Sequence, residues 1–212
     1  MNKQEAIKCE ACRIGVEELK LETFIHIESG GRGFNSDGKL IIQFEPHLYK
    51  RHAKHEYNTY LKLSQKNTDS LTNKDKEYID KFQYVLNNKV SNQTLEYKAF
   101  NIAFGFNKEA AMLSTSIGLG QVLGMNYARL GYKDVGSMWD DAKRGEDRQI
   151  FQMAEFIRTD SRLLQALKEG DWHTVASRYN GAGYKALAKR LGITPYDERM
   201  RNYYNKRKSE NK

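Results

Sequence analysis

Proline occurs only twice in 212 residues, at Pro46 and Pro195, and this scarcity constrains the fold more than any other feature of the chain. Long Lys- and Glu-rich stretches run without turn punctuation, so most of the backbone is free to be helical. A chain of this length supports one substantial core, divided at most into two lobes, and a single domain over residues 1–212 is expected. Nine Phe, thirteen Tyr and two Trp can fill that core and also line a groove. The formal charge of +8 predicts an anionic partner without choosing among nucleic acid, a membrane surface and a cell-wall polymer.

The chemistry concentrates in Phe24-Ile25-His26-Ile27-Glu28-Ser29-Gly30-Gly31. Leu21, Phe24, Ile25 and Glu28 follow the i, i+3, i+4, i+7 spacing of one helix face, so the Glu28 carboxyl shares the side that packs toward the core. Desolvation raises a carboxyl pKa, and a raised pKa lets the group give a proton to a leaving oxygen near neutral pH. Gly30 and Gly31 stop the helix and leave the acid beside a loop. An isolated helix-terminal Glu has a second reading, a structural ion pair with a neighbour such as Arg32.

Residues 3–13 and 17–28 read as two helices separated near Gly15, the second with Glu17, Glu18 and Glu22 at its positive end. An Asp37-Gly38 turn opens a hairpin in which Leu40, Ile42 and Phe44 alternate with Ile41, Gln43 and Glu45. Pro46 starts a basic helical stretch to about Leu63. Residues 64–94 read as a polar surface insertion carrying a helix. From Tyr97 the pattern is helical again, broken at Ser116-Ile117-Gly118-Leu119-Gly120-Gln121 and at Asn180-Gly181-Ala182-Gly183. The tail, about residues 199–212, is strongly basic and reads either as a fraying terminal helix or as a wall-binding segment.

Cys9 and Cys12 are i, i+3 neighbours on a helix with no second Cys pair, which favours reduced packing residues over a redox or zinc site. His26, His47, His52 and His55 complete no zinc motif, so a solvated basic face is expected and no metal. The Gly-x-Gly of the loop lacks the third glycine and flanking strand of a dinucleotide fingerprint, and no cofactor is expected. The N-terminus lacks the apolar run of a secretory signal, and no stretch approaches the roughly 18 apolar residues of a membrane span. The expectation is a soluble chain made in the cytoplasm, without stable membrane insertion.

Glu28-Ser29, the Gly118-Leu119-Gly120-Gln121 loop and Tyr179-Asn180-Gly181-Ala182-Gly183 occur in an order that resembles the lysozyme-like superfamily of goose-type lysozymes and lytic transglycosylases. With Gly31, Gly33-Phe34, Phe44-Glu45-Pro46-His47 and Asp171-Trp172, the pattern looks like the N-acetylmuramidase domain common in phage endolysins. The resemblance covers about residues 10–205 and leaves no room for a separate wall-binding domain. It implies a mainly α fold with a small β-hairpin or sheet, arranged as a lysozyme-like two-lobed α+β domain. It also implies a sugar cleft in which Glu28 is the acid and Ser29, Gly118, Leu119, Gln121, Tyr179 and Asn180 contact substrate. Relatives often carry Trp where this chain has Ile117, which puts one aromatic sugar contact in question.

Each residue also has a physical reading beside the family's. Gly118 and Gly120 permit close approach of backbone to a ligand. Gln121 either bonds substrate or caps the next helix. Tyr179 either orients Glu28 or the sugar, or is a core tyrosine with a satisfied hydroxyl. Glu45 either activates water or stabilises positive charge as a second catalytic carboxylate, or anchors the strand. Inverting glycosidases separate their carboxyls by roughly 6.5–9.5 Å and retaining ones by about 5 Å, and the goose-type resemblance leans toward inversion.

The expected function is hydrolysis of the MurNAc–GlcNAc β-1,4 bond of peptidoglycan by a monomeric chain, for host lysis. Release would come through a membrane pore made by another phage protein, a holin. The rivals are a lytic transglycosylase of the same fold and a non-catalytic basic module binding wall polymer or nucleic acid. The carboxylate and the three loops argue against nucleic acid as the partner.

Overall fold

The computed structural model describes residues 1–89 and 92–210, apart from the side chain of Ser29. The chain opens with α1 (Lys3–Ile14) and α2 (Glu18–Ser29), then β1 (Ile42–Phe44). There follow α3 (Pro46–His52), α4 (Lys54–Ser64), α5 (Asn73–Leu86), α6 (Gln93–Phe106), α7 (Lys108–Leu113), β2 (Thr115–Ile117) and β3 (Val122–Leu123). The remainder is helical: α8 (Val135–Lys143), α9 (Glu146–Arg158), α10 (Ser161–Glu169), α11 (Trp172–Asn180), α12 (Tyr184–Leu191) and α13 (Tyr196–Glu210). The class expected from a proline-poor chain is the class observed. The break near Gly15 is real: Gly15 adopts φ 69°, and its N–H returns to the carbonyls of Ala11 and Cys12, the left-handed cap that glycine allows.

Two hydrophobic cores make two lobes. The first gathers α1, α2, α9, α10, α11 and α13 around Ile7, Leu21, Phe24, Ile25, Ile150, Met153, Leu167, Trp172 and Met200. The second gathers the sheet and α3–α8 around Ile42, Phe44, Tyr49, Phe82, Ala103, Ile117 and Met138. Phe156, on α9, packs against both. Leu21, Phe24 and Ile25 are fully buried, and at roughly 1.5–3 kcal/mol per side chain they fix α2 in the first lobe.

The three strands form an antiparallel sheet in the order β1-β2-β3, with Ile42 opposite Ile117 and Ile117 opposite Val122. The alternation of the hairpin strand holds, since Leu40, Ile42 and Phe44 all face the second core. The outer edge of β1 is closed by side chains of α6: Gln93 exchanges two hydrogen bonds with the backbone of Ile42 (2.9 and 2.8 Å), and the Glu96 carboxylate accepts from Phe44 N–H at 2.8 Å. Helix side chains thus do the work of a fourth strand.

Four expectations change. The helical stretch after Pro46 is two helices broken at Ala53, which is fully buried. The 64–94 segment does carry a helix, but it is no surface appendage: α5 buries Phe82 and Val85, and Phe82 sits among the rings of Tyr49, Tyr57, Tyr60, Tyr78 and Phe106. Cys9 and Cys12 are free and exposed, because the buried face of α1 is Ala6, Ile7, Ala11 and Ile14, so they are not packing residues. The basic tail, where described, is a docked helix. α13 buries Asp197, Met200 and Tyr204 at i, i+3, i+7, and it meets α2 through Tyr204–Glu17 (3.0 Å), Arg207–Glu22 (3.3 Å) and the His26–Tyr203 stack (4.1 Å). Among the described residues no helix is long and apolar enough to cross a membrane.

Candidate active site

Glu28 occupies the last turn of α2, one residue before the terminal Ser29, and Gly30 caps the helix with φ 62°. One carboxyl oxygen, Oε1, is buried and has no hydrogen-bond partner. Burial therefore pushes the Glu28 pKa well above the ordinary value of 4.5, and the positive charge of Arg199 pulls it only partly back. No ion pair of Glu28 occurs among the described residues, so the structural pairing with Arg32 is not made. A carboxyl in this environment is an acid that stays protonated to unusually high pH.

Tyr179, on α11, stands beside it. Its ring meets Phe24 edge-on at 4.6 Å and Phe156 at 5.2 Å. Burial raises its pKa well above 10, and the charge of Glu28 adds to the rise. The hydroxyl does not bond Glu28; it donates to the carbonyl of Gly120. Tyr179 therefore ties the glycine-rich loop to the helix that lies next to the acid.

That loop, where the sequence breaks the helical pattern, is more ordered than a simple break: residues 118–121 are the tip of a β-hairpin between β2 and β3. Its glycines are needed for protein contacts. Gly118 has φ 69°, and a Cβ there would lie 2.6 Å from Gln149 Oε1, while one on Gly120 would touch Met153 at 3.0 Å. Leu119 is fully buried in the first core, so its side chain cannot meet substrate. Gln121 takes φ 46°, and its Nε2 donates to Gly118 O (2.8 Å) and Ile41 O (3.3 Å), fixing the loop instead of capping a helix. Ile117 faces the second core and pairs with Ile42.

Glu45 follows β1 on the side of the sheet opposite Phe44. Its Oε1 accepts from Gln43 Nε2 at 2.7 Å, and its Oε2 lies 3.5 Å from His47 Nδ1, with the side chain a quarter exposed. Asn180 ends α11 and lines a small pocket with Tyr196 and Arg199. The backbone of Ser29 ends α2, while its side chain lies outside the described residues.

Three residues of this region escape a sequence reading. Gln149, on α9, is buried; it accepts from Leu119 N–H (2.8 Å), donates to Ala142 O (3.0 Å), and lies so close to Gly33 and Gly118 that neither position has room for a Cβ. A polar residue on a buried helix face was its only signal. Glu146, at the start of α9, accepts from Gly33 N–H at 2.8 Å and holds the loop that follows α2. Arg199 lay hidden among the charges of the tail.

A two-lobed α+β fold, with a desolvated carboxylic acid where a hairpin of one lobe enters the other, is that of a lysozyme-like glycosidase. Comparison with known proteins narrows the class. The N-acetylmuramidase family model matches residues 17–208, and the chain belongs to that family of peptidoglycan glycosidases. Among solved structures, the crystal structure of a Burkholderia AP3 phage endolysin superposes with a TM-score of 0.74 at 24% identity, over 96% of this chain and 70% of that one. No curated protein sequence matches the chain.

Proposed function

We propose that the chain hydrolyses the β-1,4 bond between MurNAc and GlcNAc in bacterial peptidoglycan, with Glu28 as the general acid. The observation that carries this reading is the buried, unpartnered Glu28 oxygen beside Tyr179 and the hairpin tip. Protonating the leaving oxygen requires a carboxyl that holds its proton at working pH, and desolvation supplies it. Glu45 is the base: Gln43 and His47 orient its carboxylate, which takes a proton from the attacking water. The goose-type resemblance leans toward inversion, in which the two carboxyls stand roughly 6.5–9.5 Å apart with room for the attacking water between them. Tyr179 and Gln121 act by holding the loop, whose backbone, with Asn180 and Ser29, meets the sugar. One domain over residues 1–212 carries the whole activity as a monomer, working as a phage endolysin on the cell wall after a holin opens the membrane.

The same observation about Glu28 favours one rival, the lytic transglycosylase, which needs the acid but no water-activating carboxylate. Purified peptidoglycan treated with wild type and Glu28→Gln, with mass spectra of the products, separates the two. Reducing muramyl ends lost in the variant support hydrolysis; anhydro ends, one water lighter, move the chain to the transglycosylases. Unchanged activity in the variant removes Glu28 from the mechanism.

A further inference from the structure

A cavity of about 120 Å³ lies between the end of α11 and the α12–α13 turn, lined by Asn180, Leu187, Ile193, Tyr196 and Arg199. It is too small for a sugar ring in the size range of ordinary ligand sites and suits a substituent of a few heavy atoms. Its walls combine three features. Leu187 and Ile193 are about half exposed, at 46% and 53%, which is unusual for large apolar side chains on the same short stretch, and Leu191 beside them is 57% exposed. The Tyr196 ring forms one wall, with its hydroxyl buried without a partner behind it. Arg199 is exposed, makes no ion pair among the described residues, and stands 5.9 Å over the Tyr196 ring.

Arg199 is carried by α13, which docks along α2 through Tyr203, Tyr204 and Arg207, and its charge acts on both Glu28 and His26. Asn180, a cavity residue, follows Tyr179, whose ring packs on Phe24 one turn before Glu28, so the cavity lies at the end of α11 that reaches the acid's helix. A substrate whose glycosidic oxygen meets Glu28 would thus place a neighbouring substituent over an apolar floor with a free cation at its rim. Uncharged amino sugars present no partner for that cation. A muramyl residue does, because its 3-oxygen carries a lactyl group extended by a peptide stem, which combines methyl groups with carboxylates.

We propose that this pocket receives the carboxylate-bearing 3-O-substituent of the muramyl sugar, with Arg199 pairing the carboxylate and Leu187 and Ile193 under the methyl groups. The inference rests on the muramidase reading and adds to it the residues that distinguish muramyl glycan from other β-1,4-linked amino-sugar polymers. Guanidinium suits the task because its fork matches a carboxylate in two parallel hydrogen bonds.

Binding to the full chain in a Glu28→Gln background tests the pocket without needing turnover. Titration calorimetry would use three probes: a muramyl tetrasaccharide bearing its peptides, the same tetrasaccharide stripped by an amidase so that the lactyl carboxylate is free, and chitotetraose. Adding Arg199→Gln is expected to weaken the peptide-bearing probe about tenfold, the scale of one charge-assisted hydrogen bond, and to leave chitotetraose within about twofold. Arg199→Lys should restore part of the loss, and Ile193→Ser should weaken the muramyl probe severalfold without touching chitotetraose. Weakening of the peptide-bearing probe alone assigns the carboxylate to the stem; weakening of the stripped probe as well shows that Arg199 also takes the lactyl carboxylate, which is amide-bonded in the peptide-bearing probe and free only after the amidase. Equal weakening of muramyl probes and chitotetraose, no weakening at all, or no binding of the muramyl probes overturns the proposal. If wild type fails to cleave peptidoglycan while the Arg199-dependent binding persists, the catalytic reading has failed and the pocket has not.

Discussion

The two carboxylates of the proposed mechanism sit in opposite surroundings. Glu28 ends a helix whose inner face is fully buried, and one of its oxygens meets neither water nor a donor. Glu45 ends a strand, accepts from Gln43, lies against His47 and remains a quarter exposed. The helix end withholds solvation and keeps a proton on; the strand end leaves its carboxyl within reach of a donor and of solvent. The proposed mechanism gives these two residues of one chemical type opposite halves of an acid–base reaction, and only Glu28 sits where burial favours the protonated form.

The largest test of that contrast is Glu28→Gln, which should lower kcat by at least about 10³-fold while the chain stays folded. Its stability carries a separate sign. Folding raises the Glu28 pKa, so the stabilisation from holding the proton is complete below the ordinary value of 4.5 and is lost as pH rises through the folded value. Glutamine has no proton to lose. Denaturant melts should find variant and wild type similar in acid, with the variant gaining progressively above about pH 5. A variant that loses ground to wild type as pH rises would mean Glu28 is a stabilising ion.

Glu45→Gln should cost about 10²-fold in kcat with little change in KM, read from initial rates on soluble glycan fragments. Wild-type activity in this variant would end the two-carboxylate comparison and favour transglycosylation. Gly118→Ala probes the scaffold on the acid's side: a positive φ and a Cβ 2.6 Å from Gln149 Oε1 should together cost roughly 2–3 kcal/mol in chemical denaturation. An unchanged midpoint would show that Gln149 moves freely. The smallest effect is Arg199→Gln, which removes the charge that lowers the Glu28 pKa and should shift the alkaline limb of the kcat/KM profile to higher pH by a fraction of a unit.

The acid was legible because a helix repeats locally: Leu21, Phe24, Ile25 and Glu28 announce their shared face within eight residues. The alternation through Leu40, Ile42 and Phe44 is equally local. The β2–β3 hairpin was not, since strands of three and two residues are too short to show a period inside a helical neighbourhood. The reason for Gly118 is a contact with Gln149, about thirty positions away, so the sequence suggested ligand approach where the fold uses helix packing. In α13 the buried positions 197, 200 and 204 were masked by the surrounding Arg and Lys, and a cationic composition was read as a solvated tail.

The docking of α13 on α2 has a kinetic consequence. The second lobe's core is drawn from the stretch Leu40 to Ala142, which lends only Leu119 to the first core, whereas the first lobe needs Glu17 to meet Tyr204 across 187 positions. Loop closure over that span is slow compared with contacts inside the middle segment, so the middle should gain protection first and the helix carrying Glu28 last. Pulse-labelled amide exchange during refolding would test this order, which fails if α2 is protected before α5 and α6. A chain that assembles in this sequence holds its cleft apart until synthesis has passed residue 204, and nascent fragments of it are expected to be inert toward the glycan.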